Sequence, residues 1–194
     1  TLAAIAKEKA GIIKNIVPVV IGETTEETRP VFEQKAKDKN APITFAEDKD
    51  NREELNCKPI DGGCINYDTR HFGTLHGELG GEYQKRNTNT ILCAVDQLMK
   101  MGVIKNKESV RQGLADVCET TGLQGRWQKL QTSPLVVCDT GHNAGGWQYL
   151  SHQIKCQPCN TCRIGFGMVD DKDIDAVMDR LPRNASFYLT QAQC

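Results

Sequence analysis

Apolar positions along this chain recur at two alternating spacings, and the spacing predicts where helices and strands fall. Leu2, Ile5 and Ala6 share one face of a helix that Gly11 would end. Thr1 then falls in what reads as the middle of a helix, and Cys194 just after a strand. Residues 17–21 form a short apolar run, read as a buried strand with Pro18 near its start. A helix over 30–39 follows, with Glu26 and Glu27 before it and Lys35, Lys37 and Lys39 at its end, matching the helix dipole. Residues 43–45 make another strand. Residues 47–63 are polar and predict an irregular excursion. Weak alternation over 65–79 predicts a hairpin.

The strongest helical signal covers 87–101, where Ile91, Leu92, Val95, Leu98 and Met99 recur at three- and four-residue spacing. Residues 107–118 read as a further helix, with Val110, Leu114 and Val117 inward. Strands over 126–130 and 135–138 follow. Then come a helix over 147–154, a strand over 163–168, a helix over 174–181 and a strand over 186–190. From Leu135 on, this order predicts a parallel α/β unit. Ser133 and Pro134 interrupt two strand-like runs and suggest a boundary there. The expected fold class is α/β.

Composition narrows the function classes. The chain has 194 residues, 39% hydrophobic and 25% charged, with a net charge of −1. That apolar content excludes a disordered chain. Charge balance argues against a nucleic-acid or acidic-membrane binder. No apolar run approaches the roughly 20 residues of a membrane span. Nine cysteines in a chain with its own core read as reduced thiols of a cytoplasmic protein. Cys156-Gln-Pro-Cys159-Asn-Thr-Cys162 carries two successive C-x-x-C spacings. They suit either a soft-metal site, completed by Cys194 or a histidine, or three free thiols in a loop.

Four stretches carry candidate chemistry. Ala6-Lys-Glu-Lys9-Ala-Gly-Ile-Ile-Lys14 reads on its own as a charged last helical turn. Gly81-Glu-Tyr-Gln84 precedes Asn87, which its position marks as a helix cap. Gly125-Arg126-Trp127 offers a guanidinium for phosphate. Asp139-Thr-Gly-His142-Asn143 lies between a strand and a helix, where α/β proteins bind anionic ligands. A ligand site and a turn capped by Asn143 both fit this stretch. The chain has no Gly-Lys dipeptide, so it has no Walker A loop. Gly165-Phe-Gly167 is half of a dinucleotide fingerprint, with Asp170 where a third Gly belongs.

Taken in order, these stretches resemble one family, folylpolyglutamate synthase and bacterial dihydrofolate synthase, within the Mur ligase superfamily. Gly165-Phe-Gly-Met168, followed by Asp171-Lys-Asp173, belongs to the same pattern. Gly141 and Ala144 depart from it, since the family usually has Ala before the His and Pro after the Asn. The Cys-rich loop is not part of it.

The resemblance implies that residues 1–130 are the rear of a P-loop-type central ATPase domain. Residues 131–194 would open a Rossmann-like C-terminal ligase domain. The implied reaction joins L-glutamate to folate or dihydropteroate through an acyl phosphate, using ATP and Mg²⁺. The parent enzyme would be a cytoplasmic monomer without nucleic-acid or membrane partners. By motif match, Lys9 is the lysine that the family carbamylates and a magnesium ligand in that form. Asn87 would contact adenine, Arg126 the phosphates and Asp139 the ATP, while His142 would lie near the phosphates or the incoming glutamate. ATP held by Arg126 and Asp139 on opposite sides of 128–134 would close a hinge. Without the Gly-Lys loop the chain by itself is expected to be inactive. Two other readings are a Mur-type peptidoglycan amino-acid ligase and a non-catalytic nucleotide-binding fragment.

Overall fold

The structure, a computed structural model, describes residues 1–53, 55–60, 63–168 and 174–190. The chain forms two compact units. The first comprises residues 1–78 and 84–122, the second 79–83 and 123–194. The units therefore divide at Gly122 and Leu123 rather than at 130 and 131, and the second borrows a five-residue segment from upstream.

In the first unit, α1 (Leu2–Lys9) starts where the Thr1 side chain accepts a hydrogen bond from the Ala4 N–H. Gly11 does not stop the helix. A 3₁₀ turn over Ala10–Ile12 carries the chain through it, and the backbone becomes extended only at Ile13. Packing explains the extra turn, because Ala10 and Ile13 bury their side chains with Ala36 and Ala41. β1 (Val19–Ile21) begins just after Pro18, where the missing N–H does no harm, and pairs in parallel with β2 (Ile43–Phe45). Between them runs α2 (Arg29–Asp38), with Pro30 in its first turn.

The excursion expected over 47–63 contains a strand. β3 (Asn56–Pro59) pairs antiparallel with β4 (Ile65–Thr69), which pairs with β5 (Gly73–Gly77). β3 escapes sequence reading because its residues are mostly exposed and polar. Ile65, Tyr67 and Leu75 face inward and join Leu55, Phe72, Leu92 and Val110 in the main core of this unit. α3 (Gln84–Lys100) begins ahead of Asn87. Asn87 is thus no cap: it sits inside the first turn, and its amide donates to the Gln84 side chain at 3.0 Å. The helix expected over 107–118 is two, α4 (Lys107–Ala115) and α5 (Val117–Thr121), broken at Asp116. Asn106 caps the first, and Gly122, at φ +72°, ends the second.

In the second unit, β6 (Gln128–Thr132) and β7 (Leu135–Cys138) form an antiparallel hairpin with an irregularity between Lys129 and Gln131. Residues 133 and 134 are its turn, not a linker. The parallel unit expected from Leu135 on is correspondingly smaller. Among the described residues the ladder of β7 is with β6, and the parallel pair is β8 (Arg163–Phe166) with β9 (Ser186–Leu189). α6 (Ala144–Lys155) and α7 (Ile174–Met178) complete the unit. Its core is Trp127, Trp147, Leu150, Phe166 and Val177, joined by Tyr83 and Val137. Trp147 meets Phe166 edge-on, with ring centroids 5.7 Å apart. No described helix is long and apolar enough to cross a membrane.

Candidate functional site

The end of β7 and the start of α6 gather three of the five expected site residues in the second unit. Asp139 is the first residue past β7. Its Oδ2 accepts from the Trp127 N–H at 2.7 Å and the Tyr83 hydroxyl at 2.9 Å, and its Oδ1 accepts from the Gly141 N–H at 2.8 Å. An ionised carboxylate has about four acceptor positions. Three are filled from within the chain, so Asp139 ties the turn together before any ligand is considered.

That arrangement depends on local backbone choices. Trp127 holds a left-handed conformation at φ +52°, which aims its N–H at Asp139. Gly125 precedes it at φ +70°, and a Cβ there would lie 2.5 Å from Thr140 Cγ2. Gly125 is buried, and its carbonyl accepts from both the backbone N–H and the hydroxyl of Thr140.

Arg126 stands over this turn. Its Nη1 donates to the Thr140 hydroxyl, and its guanidinium also faces the Tyr83 hydroxyl. Burial, and then the Asp139 charge, push the Tyr83 phenol above its usual range, while Arg126 works the other way. The hinge expected between Arg126 and Asp139 is therefore not there. The β6–β7 ladder and the Thr140 bonds hold both residues in one unit.

His142 is exposed, and its Nδ1 lies 3.1 Å from the Thr140 carbonyl. A carbonyl only accepts, so Nδ1 carries the hydrogen and the neutral ring presents Nε2 as an acceptor. Asn143 caps α6, accepting from the Gly146 N–H at 2.8 Å. The capped-turn reading of this stretch holds, and the Arg126 guanidinium and backbone N–H groups collect at the start of the helix. The Gly141 departure has a packing reason. A Cβ on Gly141 would come within 2.2 Å of Leu150 Cδ1, and the Trp147 indole donates to the Gly141 carbonyl.

Lys9 and Asn87 belong to the first unit, on α1 and α3. Both are exposed. Lys9 sits in the last turn of α1, where an ammonium suits the helix dipole. Among the described residues no group of three His, Cys, Asp or Glu side chains gathers as metal ligands. Nor do the Cys-rich loop and a fourth ligand gather as one, and Cys194, like Asp170, Asp171 and Asp173, lies outside the described residues. None of the eight described cysteines forms a disulfide.

Sequence reasoning missed two participants. Tyr83 and Thr140 both lie inside stretches already singled out, but only the fold shows that their hydroxyls serve Asp139 and Arg126. It also missed a buried polar node in the first unit. Glu53, 3% exposed, accepts from the Arg70 and His71 N–H groups at 2.9 and 3.1 Å, and lies 2.7 Å from His71 Nδ1. Asn89 joins the node by accepting from the Glu53 N–H and donating to the Ala46 carbonyl.

Comparison with known proteins gives these positions a setting. No protein-family model matches the chain. It is 28% identical over 191 residues to the folylpolyglutamate synthase of Lacticaseibacillus casei, covering 93% of this chain and 42% of that protein. It is 29% identical over 172 residues to the dihydrofolate synthase/folylpolyglutamate synthase of Escherichia coli, covering 88% and 37%. In fold it matches a folylpolyglutamate synthase solved as a complex with AMPPCP and folate, with a TM-score of 0.76 and 29% identity, covering 97% of this chain and 46% of that one. The α/β fold and the resemblance carried by the motifs thus extend over nearly the whole chain. The chain spans less than half the length of these relatives.

Proposed function

We propose that this chain is part of an ATP-dependent ligase that joins L-glutamate to a carboxylate of folate or dihydropteroate. The sequence and fold similarity to folylpolyglutamate synthases supports the class of reaction. The observation that carries the reading is the convergence of Arg126, Thr140 and His142 on one turn before α6, with Asp139 bracing it.

In this reading the first unit is the rear of a central ATP-binding domain and the second opens a Rossmann-like ligase domain. A terminal phosphoryl group passes from ATP to the substrate carboxylate. The glutamate amine then attacks the acyl carbon, and phosphate leaves. Such chemistry is mostly positioning and charge neutralisation. Arg126 supplies a fixed cation to a phosphate oxygen, its guanidinium aimed by Thr140. The α6 N-terminus, whose Gly146 N–H is held by the Asn143 cap, adds the N–H groups of Ala144 and Gly145 to an anion. His142 offers Nε2 to a proton or, when protonated, its charge to phosphate. Asp139 holds the turn in shape and keeps one acceptor position for ligand. Asn87, exposed on α3, would take the base of the nucleotide. Magnesium would add positive charge at the phosphates, and a carbamate on Lys9 would give it an oxygen donor.

The test is an assay of the complete protein that contains this chain, supplied with ATP, Mg²⁺, L-glutamate and either dihydropteroate or a reduced folate. ADP release matched by a glutamylated product supports the proposal. Absence of product with every folate tested overturns it, and turnover of nucleotide-linked muramyl substrates instead would favour the cell-wall branch. The 194-residue chain alone, lacking a Gly-Lys dipeptide, is expected to leave ATP intact.

A further inference from the structure

Outside the Asp139 turn, the second unit carries a thiol with a built acid–base partner. Cys156 follows the last residue of α6 and is exposed. One helical turn earlier, His152 places its Nε2 at 3.8 Å from Cys156 Sγ. The other ring nitrogen, Nδ1, lies 2.9 and 3.1 Å from the two carboxylate oxygens of Glu82. A carboxylate only accepts, so Nδ1 carries a hydrogen and Nε2 of the neutral ring faces the thiol as a base. Glu82 is not a loose surface charge. Its backbone N–H donates to the Gln153 side chain at 3.0 Å, and Gln153, 8% exposed, donates in turn to the Gly80 carbonyl. The acid, the imidazole and the sulfur are thus set in line by α6 and the segment 79–83.

We propose that Cys156 is a nucleophilic thiol and a site of oxidation by hydroperoxides, with His152 as its proton acceptor and Glu82 as the positioning residue. His152 takes the thiol proton, and the imidazolium is steadied by Glu82. The thiolate sulfur attacks one peroxide oxygen. An S–O bond forms as the O–O bond breaks, and the leaving oxygen collects the proton from His152. The sulfur is oxidised by two electrons to a sulfenic acid, and the peroxide is reduced to water or an alcohol. Burial holds Cys57, Cys93, Cys118 and Cys162 toward the protonated form.

The experiment treats the 194-residue chain with less than one equivalent of hydrogen peroxide in the presence of dimedone and maps the adducts by mass spectrometry. Cys156 is expected to be the first residue trapped, ahead of the equally exposed Cys159 and faster than Cys156 in the urea-unfolded chain. His152→Ala is expected to slow Cys156 about threefold, the scale of an exposed ion pair. Glu82→Gln is expected to shift the pH profile of Cys156 alkylation by iodoacetamide, and Cys159→Ser to leave the Cys156 rate unchanged. His152 and Glu82 are the titratable groups hydrogen-bonded in line at this sulfur. Equal trapping of Cys156 and Cys159, or no slowing in His152→Ala, would overturn the proposal. So would a rate for Cys156 no higher than in the unfolded chain. Ligase activity is not a readout here, so the outcome is independent of the function proposed above.

Discussion

The Tyr83 hydroxyl donates to Asp139 Oδ2 at 2.9 Å, joining residues 56 positions apart in the sequence. The same oxygen receives the Trp127 N–H, so one carboxylate fastens the 79–83 segment, the start of β6 and the end of β7. Tyr83→Phe is expected to destabilise the chain by about 1 kcal/mol, the usual net worth of one such bond. Urea unfolding checks it, with the loss appearing in the midpoint and not the slope.

The Tyr83 phenol is also held above its usual range, by burial first and the Asp139 charge second, and burial pushes Tyr67 up to about 12. The folded value exceeds the unfolded one, so the contribution is complete below pH about 10 and is lost as pH rises beyond it. Phenolate absorbance of the folded chain is expected to show Tyr67 and Tyr83 ionising late. Tyr83→Phe should remove one of them and flatten the loss of stability in alkali.

Gly141→Ala restores the residue that the resembled family carries there, yet it is expected to be unfavourable. Its Cβ would lie 2.2 Å from Leu150 Cδ1. Overpacking of this kind costs about 1–3 kcal/mol. Adding Leu150→Ala should remove the clash while opening a cavity. The double variant should therefore be more stable than the sum of the two single losses implies. Thermal unfolding of all four proteins, read as a double-mutant cycle, measures that coupling.

Glu53→Gln tests the buried node of the first unit. The carboxylate accepts from two backbone N–H groups and faces His71 Nδ1, whereas an amide presents a single acceptor oxygen. A loss of about 2 kcal/mol is expected, as two hydrogen bonds to a charged acceptor become bonds to a neutral one. A change under about 0.5 kcal/mol in urea would mean that the node contributes no more than an ordinary surface site.

Both tryptophans of the chain adjoin the Asp139 turn, Trp127 through its N–H and Trp147 through the Gly141 carbonyl. Within these 194 residues, tryptophan emission therefore reports on this region. Equilibrium binding of a labelled ATP analogue to the complete protein is expected to weaken about tenfold or more in Arg126→Ala, as expected for loss of a charge-assisted contact. Unchanged affinity in Arg126→Ala would remove Arg126 from the phosphate site.

Most regular elements were legible because their apolar spacing agrees with their burial. α3 shows both sides: of its periodic positions Leu92 is buried and Val95 and Met99 pack on the same core, whereas Ile91 and Leu98 are exposed and the buried Cys93 was not among them. β3 was not legible, since its polar residues owe their extended form to pairing with β4. The β6–β7 hairpin was half legible: both strands were foreseen, but Ser133 and Pro134 punctuate a turn and a linker alike. The site followed the same rule. Asp139 and His142 stood out by their setting between strand and helix, and Arg126 by the Gly125-Arg126-Trp127 run. The Tyr83 bond and the Glu53 node join residues far apart in sequence, and no local pattern signals such partners.

The borrowed segment has a consequence for how this protein can be taken apart or recombined. The backbone passes from one unit to the other at 78/79, returns at 83/84 and passes again at 122/123. No single cut separates the halves. A protease nicking the chain near 122 would release residues 123–194 while the 79–83 segment of the same unit stayed on the other fragment. A gene fusion exchanging only residues 123–194 would import a carboxylate at 139 without the tyrosine built to meet it. The second unit is a module in space but not in the gene, and any chimera that respects it must be spliced at three junctions.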